Sequence, residues 1–224
     1  MLLKELKVYI LGDENYANWL PAKVVFIDSL NEADLVFFTG GEDVDPSMYN
    51  EDTHPTTYSD IERDLYEKQV FELAQKLNIP CIGVCRGNQF LTVMSGGKLV
   101  QHQPNPGTHL MKASSLNGGF EGEILVTSTH HQAAYPFDMN KEDYLVIGWT
   151  EGMLNFHENG NQEEMNPEVE CEVVYYPKTK CLGIQPHPEY MLNYDGSIEP
   201  RFQDSIKWFR NLFIEFMDIN SLKK

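Results

Sequence analysis

The stretch Cys81-Ile82-Gly83-Val84-Cys85-Arg86-Gly87 joins a short apolar run of strand character to a segment, Gly87 to Ser95, that reads as a helix ending at Gly96 and Gly97. A strand that turns sharply into a helix lifts the side chain at the turn to the carboxyl edge of a sheet. Glycines on either side let the helix and its neighbours approach without collision. The residue at this turn is Cys85. A helix N-terminus stabilises a thiolate, so the same turn that shapes the fold also gives this cysteine a reason to be reactive.

Outward from the turn, apolar runs rich in Val, Ile and Phe recur at Leu6 to Leu11, Lys23 to Asp28, Ala33 to Thr39 and Cys81 to Val84. The later ones are apolar on both faces, as in a buried parallel sheet. Tyr66, Val70, Leu73, Ala74 and Leu77 space out an intervening helix; Ser59 to Glu62 has the capping-box pattern that starts it, and Asn78 to Pro80 stops it. Further strands are expected at Lys98 to Gln101, Glu123 to Thr127, Leu145 to Thr150, Val169 to Tyr176 and Cys181 to Gln185. Phe202, Ile206, Phe209, Phe213 and Phe216 predict a final helix packed on the core. The polar, acidic segment from His157 to Glu170 reads as a solvated surface loop. The expected architecture is one α/β domain over residues 1–224, a flavodoxin-like three-layer sandwich with a mostly parallel central sheet and a nucleophile elbow.

The composition narrows the function. Lys plus Arg number 17 and Asp plus Glu 34 among 224 residues, a formal net charge of −17. That field repels phosphate backbones and anionic lipid surfaces, which disfavours nucleic-acid and membrane partners. No apolar run approaches the ~18 residues of a spanning helix, and the first eleven residues lack a secretory cleavage pattern. A cytoplasmic address is expected. Four cysteines, Cys81, Cys85, Cys171 and Cys181, are too few for a disulfide scaffold in a chain this long.

A thiol nucleophile needs a base and a group that orients it. Gln185-Pro186-His187-Pro188-Glu189 follows a strand, and prolines bias the backbone there to extended geometry, in which His187 and Glu189 point the same way. An oxyanion needs backbone donors. Thr39-Gly40-Gly41 lies just after a strand at the carboxyl edge, where a glycine lets a backbone N–H face a substrate oxygen, and the N–H of Arg86, immediately after the nucleophile, is the candidate second donor. His130 and His131 carry no metal-site spacing, and no cofactor or metal is expected. Alternation along a strand would turn only one of the two histidines to the pocket, and His130 is the candidate.

Together these residues resemble the class I glutamine amidotransferases and, within them, the γ-glutamyl hydrolase branch (peptidase family C26, which includes γ-glutamyl-γ-aminobutyrate hydrolases). The resemblance is carried by Thr39 to Pro46 with Tyr49, by Arg63-Asp64 with Glu67, and by Cys85-Arg86-Gly87-Asn88-Gln89. It continues through Gly96-Gly97, Ser128-Thr129-His130-His131-Gln132 and His187-Pro188-Glu189. It implies a Cys85, His187, Glu189 triad, an oxyanion hole of Gly41 and Arg86, and substrate contacts from Gly40, Gln89, Ser128, Thr129, His130 and Gln132. It also implies hydrolysis of a small-molecule γ-glutamyl substrate without a cofactor, by a chain acting alone, as a homo-oligomer, or as a glutaminase subunit beside a synthase partner. A catalytically silent binding protein on the same fold is the remaining class, and the intact triad opposes it. Three departures from the family pattern are the short Asp13 to Ala22 segment, Pro186 where an aromatic is usual, and Thr127 where asparagine is common.

Overall fold

In the computed structural model, residues 3–105, 107–151, 157–165, 167 and 169–221 are described. Eleven strands form one sheet in the order β2-β1-β3-β4-β11-β10-β9-β6-β7, with β5 paired to β8 and β8 to β10. Here β1 is Leu3–Leu11, β2 Ala22–Phe26, β3 Leu35–Phe38, β4 Cys81–Val84, β5 Lys98–Val100, β6 His109–Ser114 and β7 Glu121–Val126. The rest are β8 Ala133–Tyr135, β9 Leu145–Thr150, β10 Glu170–Tyr176 and β11 Cys181–Ile184. The block β2-β1-β3-β4-β11 is parallel throughout, and strands β10, β9, β6 and β7 extend it antiparallel. Strand order reverses direction at β1 and β3, so the loops after Leu11 and Phe38 flank the crevice where such sheets bind ligands.

Two cores lie on opposite faces of the sheet. Along β3, Leu35 and Phe37 enter one core and Val36 and Phe38 the other, as period-two alternation requires. The first core is closed by α3 (Gln203–Ser221), whose Ile206, Phe209, Phe213 and Phe216 are fully buried, as the apolar spacing predicts. The second is closed by α1 (Ile61–Lys76) and α2 (Arg86–Met94).

Several expectations are corrected. Helix α1 is capped by Asp60, whose side chain accepts from the Glu62 and Arg63 N–H groups, while the Ser59 hydroxyl donates to Asp45 instead. Its expected apolar stripe is only half right: Val70 and Ala74 are buried, but Tyr66, Leu73 and Leu77 are exposed. Buried Asp64 and Glu67 occupy the inner face because they pair with Arg86, and this rotates the stripe. Strands β6 and β8 have no counterpart in the sequence reading. The first carries His109, Lys112 and Ser114, and the second is three residues long.

The acidic segment after His157 is not simply solvated. Glu158 exchanges backbone hydrogen bonds with His102 and binds His54 Nε2 at 2.9 Å, and His157 and Glu170 are buried beside each other, 3.5 Å apart. Residues 166 and 168 of that segment lie outside the described residues. Between β1 and β2 stands only a 3-10 turn, Glu14–Ala17, capped by Asp13, after which Trp19 is fully buried edge-on against Phe209 and Phe213, each at 6.0 Å.

Candidate active site

Cys85 adopts φ 56° and ψ −113°, a backbone state that L-residues rarely take, and sits between β4 and α2. The turn is possible because its glycines lack side chains. A Cβ on Gly83 would lie 2.2 Å from the Gly87 carbonyl oxygen, and one on Gly87 would lie 2.1 Å from that of Phe38. The strain is held by a hydrogen bond from the Cys85 N–H to the Ile184 carbonyl at 2.8 Å. Cys85 is half-buried, whereas Cys81, Cys171 and Cys181 are buried, and burial pushes the Cys171 thiol up.

Strand β11 ends at Ile184, three residues before His187, and brings the imidazole to the same edge. His187 Nδ1 and Glu189 Oε1 are 2.6 Å apart. They meet because Pro188 opens a 3-10 turn, Pro188–Met191, rather than through the extended geometry expected from the prolines. Thr127 clamps this segment: the His187 N–H donates to its carbonyl at 3.1 Å, and its hydroxyl donates to the His187 carbonyl at 3.2 Å. Burial works against a charged imidazole, yet the Cys85 thiol and the Glu189 carboxylate outweigh it and raise the His187 pKa to about 10. Tyr190 stacks on the ring at 4.5 Å and Tyr16 approaches it at 5.8 Å; neither was singled out by the sequence reading.

Across a cavity of about 210 Å³ from the thiol lies the Gly40-Gly41 loop. Gly41 has φ 144°. Gly41 and Arg86 both border this cavity, and among the described residues neither backbone N–H enters the hydrogen bonds of turns and loops. The Arg86 side chain points the other way, into the protein. It is buried between Asp64 and Glu67, which both accept its guanidinium hydrogens. Burial pushes the Asp64 carboxyl up despite this partner and the Asp45 N–H at 2.8 Å.

The expected substrate contacts divide. Gln89, Thr129, His130 and Gln132 border the cavity, as do Gly41 and Arg86. Gly40 instead borders a neighbouring groove, which Gly41 also borders, and Ser128 is buried with its backbone N–H on the Gly107 carbonyl. Residues 127–132 form no strand, so both histidines reach the wall rather than one. His130 is buried, its Nδ1 2.8 Å from the Gln132 carbonyl, and burial lowers its affinity for a proton. His131 stands at the rim in an ion pair with Asp43 at 3.2 Å, and that carboxylate raises its pKa. Asp43 lies within the quoted Thr39 to Pro46 run, but nothing local marks it as facing the pocket.

Residues 19–189 match the family model described as Peptidase C26. Protein NtpR of Enterococcus hirae is 32% identical over 182 residues, covering 71% of this chain and 68% of that protein. A solved structure titled PurLQS from Thermotoga maritima superposes with a TM-score of 0.60 at 16% identity, covering 96% of this chain and 99% of that one. A glutamine amidotransferase from the same organism gives a TM-score of 0.56 at 16% identity and 98% coverage of both chains. At such identities the two structures speak for the fold alone. No helix among the described residues is long and apolar enough to cross a membrane.

Proposed function

On the premise that the chain belongs to the peptidase C26 family, we propose that it hydrolyses a γ-glutamyl amide bond through a glutamyl thioester on Cys85. The observation that carries this reading is Cys85, held in its strained turn at the wall of a cavity that Gly41 and Arg86 also border, with the His187–Glu189 pair, 2.6 Å apart, following β11 at the same sheet edge.

The steps follow from that placement. His187, whose raised pKa keeps it protonated near neutrality, already holds the proton given up by the thiol, and the sulfur attacks the amide carbon, forming an S–C bond while the carbonyl electron pair moves to oxygen. The Gly41 and Arg86 N–H groups donate to that oxyanion. As the intermediate collapses, the C–N bond breaks and the His187 proton passes to the departing amine. His187 then removes a proton from water, which attacks the thioester. The sulfur leaves with the electron pair of the broken C–S bond, the water proton stays on His187, and glutamate is released. Glu189 holds Nδ1 and steadies the imidazolium throughout.

At the cavity mouth, Asp43 and His131 present opposite charges at the separation of an ion pair. This suits the ammonium and carboxylate of a glutamyl head group. On the other side of the triad a groove of about 800 Å³ reaches Glu189 and is bordered by Asn15, Asn18 and Tyr194. It lies beside the short 3-10 turn that replaces a helix, and no described residue of the acidic loop borders it. The groove supports a leaving group larger than ammonia. The free thiols suit a reducing cytoplasmic compartment.

The test is a steady-state comparison of glutamine with larger γ-glutamyl amides, using the isolated chain and again with cell extract added. The expected result is a higher kcat/KM for at least one larger amide without extract. Glutamine hydrolysis that appears only with extract, and no activity on any larger amide, would place the chain beside a synthase partner instead.

A further inference from the structure

We propose that Arg63 is a positioning residue that sets the direction of the Gly41 N–H and thereby determines whether the oxyanion hole is formed. The proposal rests on the reading of Cys85 as an acyl-transfer nucleophile and deepens it.

The carbonyl of Gly40 and the N–H of Gly41 belong to one peptide unit. The described chain has no cis peptide, so these two groups point in opposite directions. Arg63 Nη2 donates to the Gly40 carbonyl at 3.0 Å. Whatever holds that oxygen on one side of the loop therefore aims the N–H to the other. Gly41 stands between two spaces: it borders the groove of Arg63, Gly40, Tyr66 and Glu67, and it also borders the catalytic cavity, which it shares with Cys85 but not with Arg63 or Gly40.

A lock is needed here more than elsewhere in the chain. Reversing a peptide unit rotates ψ of the residue before it and φ of the residue after it, and here both residues are glycine. Neither has a Cβ to resist the rotation. The Gly41 φ of 144° is already a value that side-chain-bearing residues avoid.

Arg63 is itself fixed. Its Nε donates to Glu67 Oε1 at 2.9 Å, and its Nη1 to Glu42 Oε2 at 3.2 Å. The second oxygen of Glu67 accepts from the Arg86 guanidinium. One carboxylate therefore ties Arg63, which holds the Gly40 carbonyl, to Arg86, whose backbone N–H is the second oxyanion donor. Asp64 repeats the link, accepting from Arg86 and from the Asp45 N–H of the same loop. A guanidinium can bind Gly40, Glu67 and Glu42 at once because its donors are spread across a planar fork.

The experiment compares Arg63→Gln and Arg63→Lys with wild type and with Cys85→Ala, using the best γ-glutamyl substrate. Losing one oxyanion donor costs about 10²- to 10³-fold in kcat. A loosened donor should cost part of that, so kcat is expected to fall about 10- to 100-fold in Arg63→Gln, with KM held within about twofold. Arg63→Lys should fall between Arg63→Gln and wild type. Alkylation of Cys85 by iodoacetamide forms no oxyanion and should proceed at the wild-type rate. In protein labelled with ¹⁵N-glycine, the Gly41 amide resonance should be single in wild type and broadened or doubled in Arg63→Gln. Unchanged kcat with a single Gly41 resonance overturns the lock, as does a parallel loss of alkylation, which would indicate general damage to the site. Wild-type hydrolysis that is absent, or that survives Cys85→Ala, overturns the functional reading instead, and the Gly41 resonance still decides the lock.

Discussion

Replacing Arg86 by methionine tests how much of the fold's stability passes through the charges behind the elbow. Its side chain and those of Asp64 and Glu67 are at most 2% exposed. Removing the cation does not treat the two carboxylates alike. Glu67 keeps Arg63 at 2.9 Å, but Asp64 keeps only the Asp45 N–H at 2.8 Å. The cost is therefore that of one stranded buried carboxylate, about 3–5 kcal/mol. With an m-value of about 3 kcal/mol/M for a chain of this length, the urea midpoint should drop by about 1–1.7 M. Tryptophan fluorescence during urea unfolding reads this directly, since Trp19 and Trp208 are buried in the core.

The pH dependence has a definite sign. Burial already raises the Asp64 pKa, and loss of the cation raises it further. A carboxyl with a raised folded-state pKa destabilises when ionised and is relieved as it takes up a proton, so the deficit of Arg86→Met should shrink as pH falls from 8 toward 5. Adding Asp64→Asn, which removes the stranded charge but keeps an acceptor, should recover more than half of the loss. A midpoint shift below about 0.3 M, or a deficit that does not vary with pH, would refute the reasoning.

Other expected outcomes follow from single features. Cys85→Ala abolishes hydrolysis with little change in Tm, and iodoacetamide applied to the native wild type modifies Cys85 alone; peptide mapping that finds adducts on the buried Cys81, Cys171 or Cys181 would contradict the elbow assignment. Gly87→Ala forces a Cβ to within 2.1 Å of the Phe38 carbonyl oxygen. It should lower Tm by roughly 2–12 °C, from about 1–3 kcal/mol at about 2–4 °C per kcal/mol, and lose activity; calorimetry showing a wild-type Tm would count against it. The His187 pKa is raised to about 10, so its contribution to stability is complete below its unfolded pKa of about 6.5 and disappears as pH rises through the folded value. The Tm gap between wild type and His187→Asn should therefore narrow between pH 6.5 and 10, and a constant gap would show that the charge adds nothing.

Most of the site was legible because its signals are local. A thiol between a strand and a helix, a His-Pro-Glu after a strand, and a Gly-Gly after another each need only a few neighbouring residues to be read. What was not legible depends on distant partners. The inward face of α1 follows Arg86, 22 residues beyond Asp64, so the apolar spacing of Tyr66, Leu73 and Leu77 pointed to the wrong side. Thr127, a departure from the family pattern in sequence, clamps His187, 60 residues away. His131 and Asp43 meet only through the fold. Tyr190 follows Glu189 in sequence, but its stacking on the imidazole requires the 3-10 turn that Pro188 begins.

The placement of Trp19 bears on how the chain can assemble. Its indole lies between Phe209 and Phe213, and its carbonyl accepts from Arg210 Nε at 3.0 Å, 191 residues further along the chain. A ribosome has to add about 190 further residues before Phe209 and Phe213 can close over this tryptophan. Until then one face of the sheet stays uncovered, with Leu35, Phe37, Ile82 and Ile184 open to water or to chaperones. The opposite face is roofed by α1 and α2, which lie within residues 61–94 and close to the strands they cover. The two layers therefore mature in order. The helices over the thiol elbow can form early in synthesis, but the bond from Cys85 to Ile184 waits for β11, and the layer behind the elbow is sealed only when α3 arrives.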